Sequence, residues 1–194
     1  MSHLKLFPLS LVSFPTKIVP LHIFEERYKI LISECINNKS EFGIVYQNNN
    51  SLADFGCSMK VLKVVKNYPD GRMDIISKGE NIFKLNSQSL DGELLIGEVR
   101  YKESKISQNS EKFEILKDKY IKILLMLGLT SNLDGHLKKN IPFELLEGIS
   151  LPSEFELMLI STNSESDRIK ILDRIFDKIL KNEFSIPDAS HFES

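Results

Sequence analysis

The sequence predicts an α+β protein, with a β-rich pseudo-barrel holding one embedded helix over residues 1–103 and an α-helical bundle over residues 111–181. Three observations carry this. Short apolar runs broken by Pro8, Pro15 and Pro20 open the chain. Turn signals at Pro69-Asp70-Gly71 and Asp91-Gly92 punctuate the first half, because proline presets φ and glycine admits φ > 0. Past residue 110 the apolar residues fall at helical spacing instead.

The elements follow in order. Leu6-Phe7 and the run from Leu9 to Val12 read as extended, since the residue before each proline is pushed toward the β or polyproline region. Prolines confine such strands to edges or strand ends. From Phe24 the period changes, and Tyr28, Leu31, Ile32, Cys35 and Ile36 form one stripe of a helix, with Glu25 and Glu26 in its first turn. Phe42 to Val45 reads as a strand and Asn48 to Ser51 as a polar loop. One hairpin joins VLKVVKNY to MDII, and a second turns at Asp91-Gly92 between Leu85 and Leu94. About six short strands closing on one helix form a small, partly open barrel that protects its edges.

A polar stretch over residues 104–110 reads as a linker. Phe113, Leu116, Tyr120, Ile123, Leu124 and Leu127 then repeat at helical spacing, and Gly128 stands where a helix would stop. Ile115, Ile121, Leu125 and Met126 make this helix apolar almost all round, which predicts a place at the centre of the bundle. Residues 132–140 read as loop, and Pro142 and Pro152 can each open a short helix. Ser164 and Asp167 form a capping pair for a last helix that runs through Ile169, Leu172, Ile175, Phe176 and Ile179 to about Lys181. A frayed tail is expected over residues 182–194.

Composition excludes several classes. A chain of 194 residues buries enough surface to fold without staples. Its 25 basic and 27 acidic residues give a net charge of −2 and no field for a nucleic-acid backbone. The best basic stripe, Lys60, Lys63 and Lys66, has a spacing of three that strand alternation would split between two faces. Cys35 and Cys57 read as buried free thiols, and without CxxC or HExxH spacing no metal or cofactor is expected. There is no GxxxxGK[ST] phosphate loop and no GxSxG elbow. The amino terminus does not read as a signal peptide and no run reaches about 18 apolar residues, so no membrane partner and a cytoplasmic location are expected.

The order L-F-P-L-x-L-V-x-F-P from Leu6 to Pro15, followed by P-L-H-I-F-E-E-R-Y-K-x-L-I from Pro20 to Ile32, resembles the amino-terminal domain of the Lon protease family. Further matches come in the family's order: Phe42-Gly43-Ile44-Val45, Leu52-Ala53 to Gly56-Cys57, Tyr68 to Arg72, Lys78-Gly79 with Ile82-Phe83, and Glu98-Val99. The resemblance is strong over residues 4–101; beyond, it rests on Leu151-Pro152 and Ser166 to Ile169. It implies a PUA-like barrel with a helical subdomain, free-standing without ATPase or protease domains, that binds polypeptides and is not itself an enzyme. The implied partners are unfolded or partly folded polypeptides and an ATP-dependent protease, with no nucleic acid. Peptide-binding candidates are the apolar Phe7, Leu9, Val12 and Phe14, expected as an exposed patch, and the polar His22, Glu26 and Arg27. A small hydrolase with a cleft between the subdomains and an RNA-binding barrel stand as alternatives.

Overall fold

The structure, a computed structural model, describes residues 2–49, 51–103 and 111–183. The expected linker over 104–110 and most of the expected tail lie outside the described residues. The chain divides into two units, Met1–Glu103 and Ser104–Ser194.

In the first unit the order is β1 (Ser2–Leu9), β2 (Ile18–Ile23), α1 (Glu26–Asn38), β3 (Phe42–Asn48), β4 (Ser51–Asn67), β5 (Met73–Asp91) and β6 (Leu94–Tyr101). β1 lies parallel to β3 and antiparallel to β6, while β3 pairs with β4, β4 with β5 and β5 with β6. Five strands thus close a ring, and within it no strand edge is left open. β2 adds to β5 outside the ring, from Ile18 opposite Lys78 to Ile23 opposite Met73. Pro20 therefore stands in an edge strand, as its missing N–H requires.

The lengths of β4 and β5 follow from a double duty. β4 begins against β3 alone at Ser51 and Leu52, runs between β3 and β5 as far as Met59, and from Lys60 to Asn67 pairs with β5 alone. A three-stranded extension, β2-β5-β4, results. The first strand is shorter than its apolar run: β1 ends at Leu9, and Leu11 and Val12 belong to the connection to β2.

Alternation along β1 divides the unit's apolar residues between two clusters. Leu4 and Leu6 join Val45, Phe83 and Val99. Phe7 joins Tyr28, Leu31, Ile32 and Cys35 of α1 together with Ile44, Met59 and Ile75. The Phe7 ring stacks on Tyr28 with centroids 3.8 Å apart, so the first strand and the embedded helix share one core. Buried hydroxyls are bonded: Ser77 Oγ donates to the Val19 carbonyl at 3.0 Å, and Ser58 Oγ accepts from the Asn81 N–H at 3.2 Å.

The second unit contains α2 (Glu111–Met126), α3 (Leu133–Leu137), a 3₁₀ turn (Pro142–Leu146), α4 (Ser153–Ser161) and α5 (Glu165–Leu180). Lys119 ties α2 to α5 through Asp173 and Asp177, each at 2.6 Å. Tyr120 donates to the Glu147 carbonyl at 2.9 Å and meets His136 Nδ1 at 2.8 Å. Arg168 closes the end of α4 by donating to the carbonyls of Leu159 and Thr162. Two expectations change. Residues 132–140 contain α3, a single helical turn that a glycine-bearing, polar segment does not advertise. Nor is α2 enclosed: Ile115, Leu125 and Met126 stay about half exposed, because its neighbours cover one side only.

Candidate functional site

The outer face of the β2-β5-β4 extension is where the first unit displays unspent chemistry. On β2 the outward residues are Ile18, Pro20 and His22, opposite Lys78, Ile76 and Asp74 of β5. Those three stand in turn opposite Lys60, Lys63 and Lys66 of β4. The face therefore has three rows, Ile18–Lys78–Lys60, Pro20–Ile76–Lys63 and His22–Asp74–Lys66, while Ser77, Ile75 and Met73 point inward and are buried.

Two β-bulges make this arrangement possible. The ladder shifts between Val61 and Lys63 and again between Val64 and Lys66, leaving Leu62 and Val65 opposite no residue of β5. Each inserted residue resets the alternation. All three lysines consequently lie on the solvent side, and Val61 and Val64 pack against the core beneath. The expectation that strand alternation splits the lysines is overturned by these insertions. Leu62 and Val65 are themselves 51% and 54% exposed.

At one end of the face a polar and aromatic cluster forms. His22 Nδ1 lies 2.6 Å from one Asp74 oxygen, and the Tyr68 hydroxyl donates to the other at 2.8 Å. These hydrogen bonds, that of His22 first, hold the Asp74 carboxyl below the usual carboxylate range. The His22 ring lies 6.1 Å from Phe24 and meets Tyr68 edge-on at 5.8 Å. Lys66 Nζ sits 4.4 Å over the Tyr68 ring. Phe24, which leads into α1, is 60% exposed.

A second feature lies at the start of α1. Arg27 grips one Glu25 oxygen with two nitrogens, at 2.9 and 2.6 Å, and reaches toward the Glu93 carbonyl. With Glu26, Leu90, Gly92 and Glu93 they line an open concavity of about 610 Å³. Three carboxylates against one guanidinium make it acidic.

The residues picked from sequence divide accordingly. Phe7, Val12 and Phe14 are buried and Leu9 is half-buried, so their side chains form no exposed apolar patch. The prolines that made this segment extended lay it over the core. His22 stands on the outer face, and Glu26 and Arg27 line the acidic concavity. Sequence reasoning missed Ile18, Phe24, Leu62 and Val65. The signal was present in V-L-K-V-V-K, whose period of three in a strand marks repeated bulges; without Leu62 and Val65 it reads Val61-Lys63-Val64-Lys66, a strict alternation.

Among the described residues no group of three or more His, Cys, Asp or Glu side chains could hold a metal ion. Cys35 and Cys57 are free and buried, and burial raises both thiols.

Comparison with known proteins places this geometry. The family model of the ATP-dependent protease La (Lon) substrate-binding domain matches residues 3–175. The fold is similar to that of a Lon N-terminal domain protein from Xanthomonas campestris, with a TM-score of 0.74 and 22% identity over 90% of this chain and 98% of that one. It is also similar to the N-terminal domain of the Mycobacterium avium complex Lon protease, with a TM-score of 0.70 and 14% identity over 91% of this chain and 98% of that one. Sequence and architecture agree over most of the chain's length, and the chain belongs to the Lon substrate-binding domain family.

Proposed function

We propose that this chain is a non-catalytic recognition module that binds unfolded or partly folded polypeptides on the outer face of β2-β5-β4. The observation that supports this is the exposure of Ile18, Phe24, Leu62 and Val65, side chains whose burial against a client removes apolar surface from water. The polar candidates extend the contact, His22 from within the face and Glu26 and Arg27 from the acidic concavity. The buried Phe7, Val12 and Phe14, with half-buried Leu9, serve as support beneath. Affinity is modest, because a disordered client gives up conformational freedom on binding. An ATP-dependent protease of the Lon type is the partner to which such clients would be presented.

The test is fluorescence anisotropy with reduced, carboxamidomethylated α-lactalbumin as the unfolded client and the native calcium-bound form as control. Binding to the unfolded form alone, weakened at least fivefold in F24S and in the L62S/V65S double variant, is expected. Equal binding of both forms, or unchanged binding by both variants, overturns the reading.

A further inference from the structure

Beside the outer face, between the C-terminal end of α1 and the free edge of β4, lies a groove of about 200 Å³. That is below the roughly 300–1,000 Å³ of sites that enclose a small-molecule ligand; its scale is that of one large side chain. Ile36 of α1 and Leu62 of β4 supply its exposed apolar walls, and Val61 and Val64 form part of its lining.

The charges around it have one sign. Lys39, Lys60 and Lys63 line the groove and no carboxylate does, in a chain whose net charge is −2. None of the three lysines has an ion-pair partner among the described residues. The carbonyls at the end of α1 do not neutralise them, because those of Cys35 and Ile36 accept from the backbone N–H groups of Ser40 and Lys39. The neighbouring carboxylate of the outer face, Asp74, is held by His22 and Tyr68 at the far row.

The edge of β4 decides how a client can lie here. Bulges at Leu62 and Val65 interrupt the ladder and spoil the even row of donors and acceptors that an added strand would need. Recognition is left to side chains.

We infer that this groove seats one large apolar side chain of an extended client segment whose flanking residues are acidic, with Lys39, Lys60 and Lys63 pairing to the flanking carboxylates. The inference rests on the polypeptide-recognition reading above and names the class of segment recognised. It makes the module selective for acidic, apolar-bearing segments over basic ones, and it places the selectivity in β4 and α1.

The test uses four fluorescein-labelled dodecapeptides with a central Leu flanked by two Glu on each side, the same with Gln or Lys for Glu, and the Glu peptide with Gly for Leu. Wild-type protein should bind the Glu–Leu peptide at least tenfold tighter than the Lys–Leu peptide and several-fold tighter than the Gly peptide. The preference should shrink between 50 and 200 mM salt. K60E/K63E should reverse the order of Glu and Lys peptides, and K60Q/K63Q should abolish the difference, while both keep the circular dichroism spectrum and urea midpoint of the wild type, which shows that they fold. Wild-type binding of unfolded α-lactalbumin without discrimination among the peptides overturns the groove and leaves the module reading standing. No binding of either ligand class removes both. Poly(U) RNA bound more tightly than the Glu–Leu peptide, and lost in K60Q/K63Q, makes the lysine row a nucleic-acid site and overturns the inference.

Discussion

A β carbon placed on Gly79 would lie 2.0 Å from the carbonyl oxygen of Phe14. The two segments touch backbone to backbone, with the Thr16 N–H donating to the Gly79 carbonyl at 2.8 Å and the Gly79 N–H donating to the Lys17 carbonyl at 2.9 Å. Only glycine permits this approach of the proline-rich connection to β5. Gly79→Ala must push the two apart and is expected to cost about 1–3 kcal/mol. Urea denaturation followed by circular dichroism measures it, and an unchanged midpoint would show that the contact is dispensable.

Phe7→Ala removes the ring that stacks on Tyr28 and leaves a void between β1 and α1. The expected loss is about 3–5 kcal/mol, the range for a buried phenylalanine. The same denaturation experiment reads it. A loss below about 1 kcal/mol, typical of exposed sites, would place Phe7 on a surface after all.

The carboxyl of Asp74 should titrate below its ordinary value of 3.8. A group with a depressed folded pKa contributes stability that is present above the unfolded value and is lost as pH falls through the folded one. What the Asp74 carboxylate contributes to the cluster is therefore lost as pH falls through its folded value. Carbon-detected NMR of the Asp74 carboxyl follows the titration directly, and H22A and Y68F should each move the midpoint back toward 3.8. An unmoved midpoint in both variants would assign the depression to some other cause.

Both thiols should resist modification in the native state. Burial raises the pKa of Cys35 and, further, that of Cys57, and it also blocks access. At pH 8, Ellman's reagent should report almost no thiol in the folded protein and two per chain in guanidinium. Rapid labelling of either cysteine without denaturant would contradict the packing of α1 on the sheet.

Much of this architecture is readable in the residues. The α1 stripe puts Tyr28, Leu31, Ile32 and Cys35 in the core, and only its last member, Ile36, emerges, at 37% exposure, into the groove beside β4. Pro69-Asp70-Gly71 makes its turn, with the Gly71 N–H donating to the Tyr68 carbonyl and Gly71 at φ 83°. Ser164 Oγ accepts from the Asp167 N–H at 3.0 Å and opens α5. The proposed surface was far less visible. An apolar run interrupted by prolines looks the same whether it lies over a core or faces water, and Phe7, Val12 and Phe14 lie over one. The bulges of β4 exist only as a mismatch with β5, and no property of β4 alone fixes how many residues will oppose a given partner. Phe24 reads as the start of a helical stripe, yet it precedes the first helical turn and points out.

Because Leu62 and Val65 oppose nothing on β5, excising both would leave every rung of the β4–β5 ladder matched to its present partner. The barrel would keep its topology and its interior while losing the two protruding apolar side chains. In this strand the display is an inset in the scaffold, and the scaffold does not depend on it.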